Sequence, residues 1–296
     1  MKRSVITPVQ QKEFVMIIDC RLRPPYKSFT NLHIYQPTVC NKTLPRMIDA
    51  WDTPSANEHS MELFIKELDE AGISKGVVMA RAAANYAHAV PNEEIRDLLR
   101  EYPGRFIGFG GVDLSAGIDA ALKEVDSCMN YGFKAICVEP GFCDPPRKVD
   151  DPVFYPIYRR CQELGLPVVM TLSFWVGPDI EYSNPAAAQR VANDFPLLQL
   201  VIAHACYPWW PHIFGAMLAC PNIWIMPDLY MIEHYAPANQ MCGDAVHWLD
   251  GERILYGSAY PCCDVRQGIE EMKRFNFSER LWNKIMHENA KKLFAI

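Results

Sequence analysis

Eight short apolar or β-branched runs recur along the chain, at 14–19, 76–80, 106–113, 133–139, 167–173, 198–204, 223–228 and 253–259, each parted from the next by an amphipathic stretch. Strands that alternate with helices read as parallel βα units, because a parallel neighbour is reached only through a crossover connection. Several runs are nearly continuous in apolar residues, as strands covered on both faces must be. Between them Ile118, Leu122, Val125 and Met129 fall three to four apart on one helix face, and Asn184 with Pro185 supplies a cap and a first helical residue. Helices are also predicted over 58–71, 92–102, 155–164 and 278–294, the last opening on Ser278 as N-cap. With no Gly/Ser-rich linker or low-complexity block in 296 residues, the pattern predicts one α/β domain over 1–296, a (β/α)8 barrel of the TIM type. A doubly wound open sheet is the competing arrangement, and the lack of a Gly-x-Gly-x-x-Gly after the first run weakens its dinucleotide-binding form. Segment 24–57, with five prolines, several aromatics and no clear period, is expected to be a loop over the barrel mouth.

Net charge and cysteine usage narrow the partners. The chain carries a net charge of −6 with no basic run, which argues against nucleic acid or an anionic membrane surface. No segment approaches the roughly 18 apolar residues of a membrane span, and Met1 to Glu13 contains no apolar signal core, so a cytoplasmic protein is expected. The 11 cysteines are odd in number and scattered, which favours reduced thiols over a disulfide framework. Neither Cys-x-x-Cys, His-x-His nor His-Glu-x-x-His occurs; zinc-ligand spacing is absent, and no metal or other cofactor is expected. Cys262-Cys263 is the one local cluster; packing explains it as well as a nucleophile would, since no adjacent histidine supports a thiolate. Seven tryptophans, with Trp282 placed on an outer helix face, are compatible with a homodimer.

In a barrel of this kind chemistry collects at the C-terminal strand ends. Period two places Asp19, Arg21 and Arg23 on one face of the first strand, Cys137 with Glu139 on the fourth, and Thr171 with Ser173 on the fifth. Arg81, Asp113, His204, Asp228 and Ser258-Ala259-Tyr260 close other runs. Arg21 and Arg23, about 6–7 Å apart at the backbone, repel by roughly 2–3 kcal/mol at an effective dielectric near 20. Asp19, Asp113 and Glu139 can offset that from within the protein, or a ligand carboxylate can from outside. A network that only rims the barrel and a site for an anion both remain open. His204 ends an apolar run as either a structural imidazole or an acid/base near neutral pH. Glu139 either pairs with an arginine or donates a proton.

The assembled motifs resemble the amidohydrolase-related family, the branch of the amidohydrolase superfamily that includes aminocarboxymuconate-semialdehyde decarboxylase. They are Ile18-Asp19, the stretch 102–109 before Val112-Asp113, Gly165-Leu166-Pro167-Val168, Phe195-Pro196-Leu197-Leu198 leading to Ala203-His204, Pro221-Asn222-Ile223-Trp224, the stretch 253–261 and Glu288-Asn289-Ala290. The resemblance implies a metal site built from histidines where this chain has Arg21 and Arg23, a histidine where it has Thr171 and an aspartate where it has Ala259; only His204 remains. An ion needs three or more placed donors, so the chain is similar to a divergent subgroup with arginines in place of the metal, also marked by Glu139-Pro140-Gly141, Gly177-Pro178-Asp179-Ile180 and Pro227-Asp228-Leu229-Tyr230.

The expected function is a metal-independent hydrolase or lyase acting on a small carboxylate-bearing substrate, a lactone or an unsaturated acid, at the C-terminal mouth. Arg21, Arg23, Arg81, Thr171 and Tyr260 are the candidate substrate-binding residues, and His204, Glu139 and Asp228 the candidate catalytic ones. A barrel that has lost catalysis and keeps anion binding, or serves as an interaction protein, is the alternative. Neither the substrate nor the choice between hydrolase and lyase can be read from these residues.

Overall fold

The computed structural model describes residues 16–35, 53–82, 88–232 and 238–296. Seven parallel strands run in sequence order around one sheet: β1 (Ile17–Leu22), β2 (Ile73–Met79), β3 (Phe106–Gly111), β4 (Ala135–Val138), β5 (Val168–Ser173), β6 (Leu200–Tyr207) and β7 (Ile223–Met226). The eighth expected strand is not a continuous ladder. It survives as two isolated bridges, Ile225 to Ile254 and Leu22 to Tyr260. Even so it closes the ring: Leu255 N–H donates to the Ile225 carbonyl at 2.9 Å on one side, and Cys20 N–H donates to the Tyr256 carbonyl at 2.9 Å on the other. Its pairing breaks where Ser258 N–H turns to the Asp19 carboxylate, 3.1 Å away, and where Ala259 adopts a φ of 58°. The architecture is the (β/α)8 TIM barrel that the alternation predicts.

Helices α1 (Pro54–Asn57), α2 (Met61–Glu70), α3 (Asn92–Glu101), α4 (Ile118–Asn130), α5 (Tyr155–Leu164), α6 (Pro185–Asp194), α7 (Trp210–Ala219), α8 (Ala238–Leu249) and α9 (Val265–Arg274) connect the staves. Asn184 caps α6 by accepting from Ala186 N–H, and Ser278 caps the final helical stretch by accepting from Leu281 N–H. That stretch is not the single helix expected over 278–294. It widens into a π turn at Lys284–Glu288, where Tyr256 N–H takes the Ile285 carbonyl at 3.2 Å and displaces the regular ladder. Trp282 lies half-buried against the outer core.

Two apolar layers follow from strand alternation. The inner one, Ile18, Cys20, Val77, Met79, Phe109, Ala135, Val169, Val201, Trp224 and their neighbours, fills the barrel and is plugged from below by Ala290 and Phe294; the outer one lies between sheet and helices. The ten described cysteines are buried and free, Cys262 and Cys263 among them. No described helix is long and apolar enough to cross a membrane.

Segment 24–57 is only partly described. Short 3-10 turns occupy Lys27–Asn31 and His33–Tyr35, α1 begins at Pro54, and 36–52 lie outside the described residues. Its two described ends meet at the barrel rim: Tyr35 donates its hydroxyl to the Arg23 carbonyl at 2.5 Å, and Ser55 Oγ shares a hydrogen bond with the Tyr260 hydroxyl at 2.6 Å.

Candidate active site

Strict alternation would carry Asp19, Arg21 and Arg23 on one face, but β1 does not keep it. Asp19 pairs with Gly76 and Leu22 with Val78, so three steps on β1 oppose two on β2. This bulge parts Asp19 from the arginines. Ile18 and Cys20 face the barrel interior, Leu22 joins the outer core, and Arg21 turns inward above Cys20. Asp19 pairs with neither guanidinium. Its Oδ1 accepts from Arg21 N–H at 3.0 Å and Ser258 N–H at 3.1 Å, while Oδ2 has no partner, and burial pushes the carboxyl up to about 7 despite these bonds.

Arg21 is 1% exposed and is contacted at each of its three nitrogens. Nη2 donates to His204 Nε2 at 3.1 Å, Nε stands 3.3 Å from Asp228 Oδ2 as an ion pair without hydrogen-bond alignment, and Nη1 rests 3.6 Å from the Met79 sulfur. His204 Nδ1 lies 2.9 Å from Asp228 Oδ1, which also accepts from Leu229 N–H at 2.7 Å. A carboxylate facing Nδ1 and a guanidinium facing Nε2 together assign the imidazole proton to Nδ1 and the lone pair to Nε2. Burial is the largest influence on His204 and pushes its pKa down; Asp228 opposes it, Arg21 and Arg23 add to it, and the net shift is downward. The ring is therefore neutral at pH 7.

Backbone geometry presents this pair. Period two along β6 would turn the residue after Ala203 outward, but His204, Ala205 and Cys206 take left-handed φ values of 67°, 48° and 53°, which sends the imidazole inward and Ala205 and Cys206 into the outer core. Asp228 is left-handed too, at 46°. Each such non-glycine residue costs about 1–2 kcal/mol, a strain of the sort that gathers at functional sites. Gly257 sits opposite, where a Cβ would come within 3.1 Å of Arg21 Cβ and 3.5 Å of Asp228 Cβ.

Arg81 and Glu139 form a separate bidentate pair, Nη2 to Oε1 at 2.8 Å and Nε to Oε2 at 3.2 Å. Burial alone would raise the Glu139 carboxyl, but Arg81, with help from Arg21 and Arg23, holds it below the usual range. Glu139 is thus an ionised partner that orients an arginine. Arg23, 7% exposed, is the exception among the three arginines: its side chain meets no hydrogen-bond or ion-pair partner among the described residues. Burial and then the neighbouring Arg21 lower its pKa to about 10, so it keeps its charge at neutral pH.

The other predicted residues divide. Thr171 is buried on β5, two residues beyond Val169 of the inner layer. Tyr260 lies away from the cluster, packed on Phe64 at 4.5 Å between ring centres with its hydroxyl bound to Ser55, because the left-handed Ala259 turns the chain outward. Asp113 bonds to Ser115 and reaches none of the arginines. Sequence reasoning missed His33, half-buried in the turn His33–Tyr35. Burial, followed by Arg81 and Arg23, depresses it to about 4, which places a second neutral imidazole near those arginines. The only signal was its place in a proline-rich segment expected to cover the mouth. Missed as well was an aromatic wall: Tyr207 stacks on Tyr230 at 4.4 Å, Tyr230 meets the His204 ring edge-on at 5.6 Å and Phe174 edge-on at 6.3 Å, and Trp175 Nε1 donates to the Tyr230 hydroxyl.

Among the described residues the donor set does not suit a divalent metal. Two guanidiniums, which repel cations and have no lone pair to give, occupy the β1 positions. Both nitrogens of His204 are engaged, and no group of three or more His, Cys, Asp or Glu side chains among the described residues is placed to hold an ion.

Comparison with known proteins agrees with the fold and names the family. A family model described as Amidohydrolase matches residues 18–296. A 2-amino-3-carboxymuconate-6-semialdehyde decarboxylase from Dictyostelium discoideum is 29% identical over 89 residues, a match that covers 30% of this chain and only 24% of that protein. An uncharacterized TIM-barrel protein from Bordetella bronchiseptica superimposes with a TM-score of 0.87 at 33% identity, over 95% of this chain and 98% of its own. A probable 2-pyrone-4,6-dicarboxylic acid hydrolase from Acinetobacter baumannii, solved with citric acid bound, gives a TM-score of 0.66 at 15% identity over 95% and 99%, a likeness of fold alone. With a family model matched from the first strand to the last residue, the chain belongs to the amidohydrolase family.

Proposed function

We propose that the protein is a hydrolase or lyase that takes a small carboxylate-bearing substrate, a lactone or an unsaturated acid, at the C-terminal mouth of its barrel, and that arginine does there what a metal ion would do. Family membership carries the coarser part, an enzyme of hydrolase or lyase type. One observation carries the finer part: Arg23 is a buried cation with no carboxylate partner among the described residues, beside Asp228 and a strained, neutral His204. A buried unpaired charge is costly, and an arriving carboxylate relieves that cost with the bidentate geometry a guanidinium favours.

In this reading Arg23 binds the substrate carboxylate, and Arg81, fixed by Glu139, adds positive potential. Arg21 faces the reacting carbonyl. When a substrate oxygen takes over the Arg21 Nη2 hydrogens, the Nε2 lone pair of His204 is released to accept a proton from water, while Asp228 holds Nδ1–H and steadies the imidazolium that forms. The guanidinium of Arg21 then stabilises the developing oxyanion. A neutral base serves hydrolysis directly; a lyase reaction that protonates carbon needs His204 to gain its proton first.

The test is turnover of lactones and unsaturated acids by the wild type in the presence of a strong chelator, alongside His204→Gln. Loss of roughly 10²–10⁴ in kcat on removing the imidazole is the size expected for a general base. Full activity in the variant removes His204 from the mechanism, and activity that disappears with chelation removes the metal-independent part.

A further inference from the structure

Below Arg21 the first strand falls out of step with both of its neighbours. Toward β2, three steps from Asp19 to Leu22 oppose two. Toward the eighth stave, Cys20 N–H takes the Tyr256 carbonyl at 2.9 Å and Arg23 N–H the Tyr260 carbonyl at 3.1 Å, so three steps on β1 oppose four. A regular parallel ladder is evenly spaced on both strands. The N–H groups of Arg21 and Ser258 fall within this mismatch, and a buried N–H must find an acceptor. Asp19, fully buried, supplies one oxygen to both, Oδ1 at 3.0 Å from Arg21 N–H and 3.1 Å from Ser258 N–H. Ser258 Oγ in turn accepts from Tyr260 N–H at 3.1 Å and fixes the turn that follows. The mismatch decides which way Arg21 faces. In a regular strand Leu22 would follow Ile18 and Cys20 into the barrel and Arg21 would point among the helices; the slip exchanges them, Leu22 to the outer core and Arg21 onto His204.

We infer that Asp19 is the positioning residue of Arg21: by accepting from the Arg21 and Ser258 amides it holds the bulge that turns this guanidinium onto His204 and Asp228. This rests on the reading of Arg21 as the group that faces the substrate, and it adds what aims that group. The work is done by an acceptor oxygen at one place. An amide oxygen there serves as well, whereas an apolar side chain of the same size strands two buried N–H groups. The bulge is then released toward regular pairing, which carries Arg21 away from His204 Nε2.

The test is a histidine-selective NMR titration of the full-length protein, with the His204 signal assigned by its loss in His204→Gln, on wild type, Asp19→Asn, Asp19→Leu, Arg21→Met and the Asp19→Leu/Arg21→Met double variant. Burial and then Arg21 hold the His204 imidazole down, so withdrawal of the guanidinium raises its midpoint, whereas loss of a carboxylate charge at Asp19 can only lower it. Asp19→Leu should raise the midpoint by about one pH unit or more, to the value in Arg21→Met, and the double variant should move it no further; Asp19→Asn should stay with wild type. A midpoint in Asp19→Leu at or below that of wild type overturns the inference, and so does an Asp19→Asn that behaves like Asp19→Leu. Should Asp19→Leu not fold, backbone spectra of wild type and Asp19→Asn decide: the amide protons of Arg21 and Ser258 should both shift between the two, and unchanged signals overturn the inference. No substrate enters these measurements, so their failure leaves the proposed hydrolase or lyase standing, and inactivity toward lactones and unsaturated acids leaves the role of Asp19 standing.

Discussion

Replacing Arg21 by Met removes the cation that faces both Asp228 and His204 while nearly conserving volume, so its consequences are electrostatic. Asp228 keeps Leu229 N–H and His204 Nδ1–H but loses the guanidinium 3.3 Å from Oδ2, and His204 loses the donor 3.1 Å from Nε2. Stranding one member of a buried ion pair costs about 3–5 kcal/mol, which in a chain of this size lowers Tm by roughly 6–20 °C. The loss should depend on pH. Arg21 is one of the groups that depress His204; without it, the imidazole next to Asp228 takes up a proton more readily than in the wild type. The unfolded chains bind protons alike, so the stability gap reflects only the two folded states, and it narrows as pH falls because the variant binds the additional proton. Each unit by which the His204 pKa differs between the two proteins closes the gap by about 1.4 kcal/mol. Thermal unfolding of both proteins at pH 8.5, 7 and 5.5 measures this directly. A gap that stays constant or widens on acidification refutes the coupling of Arg21 to His204, and a variant within 2 °C of wild type at pH 8.5, where the expected fall is roughly 6–20 °C, refutes the energetic role of the pair.

Three further outcomes follow from the same geometry. Asp19→Asn keeps an oxygen for the Arg21 and Ser258 amides and cannot ionise. Because burial raises the wild-type carboxyl to about 7 from 3.8, the wild type has its full Asp19 contribution only below about pH 4 and loses it as pH rises through 7, at up to about 1.4 kcal/mol per pH unit. The variant should therefore gain on wild type in urea denaturation from about pH 5 to pH 7 and keep a constant advantage above that, and curves that stay parallel between pH 5 and 7 contradict this. Gly257→Ala puts a methyl against Arg21 Cβ and Asp228 Cβ and should cost about 1–3 kcal/mol of stability by overpacking, with a fall in turnover; an unchanged melting curve shows that the strand gives way. Glu139→Gln removes the bidentate partner of Arg81 and should destabilise by about 3 kcal/mol, a loss that Arg81→Met in the same chain should partly restore in a double-mutant cycle.

The barrel was legible because burial on both faces writes each stave as an apolar run and each crossover as an amphipathic one. Local pairing details were not. Period two put Asp19 with Arg21 and Arg23, and a bulge between Asp19 and Leu22 undid it; a bulge is a property of two strands in register and leaves no mark on either alone. Arg21, His204 and Asp228 meet in one cluster and Arg81 meets Glu139 in another; their places at the strand ends were legible, but these pairings were not. The inward turn of His204 depends on three consecutive left-handed residues without a glycine among them, which propensity would never supply. Tyr260 went outward for the same kind of reason, one left-handed residue before it. His33 was hidden in an aperiodic segment whose placement is set by tertiary contact, and the predicted helix over 278–294 gave way to a π turn because a strand amide, Tyr256 N–H, reached into it.

The central claim, that arginine replaces the metal in this mouth, is tested most directly by the metal content of native protein purified without added metal, chelator or a polyhistidine tag, measured by plasma mass spectrometry on wild type and His204→Ala. Two guanidiniums at the β1 positions and a histidine with both nitrogens engaged predict substoichiometric zinc, manganese and iron in both proteins. Stoichiometric metal in the wild type that is lost in His204→Ala would contradict the account.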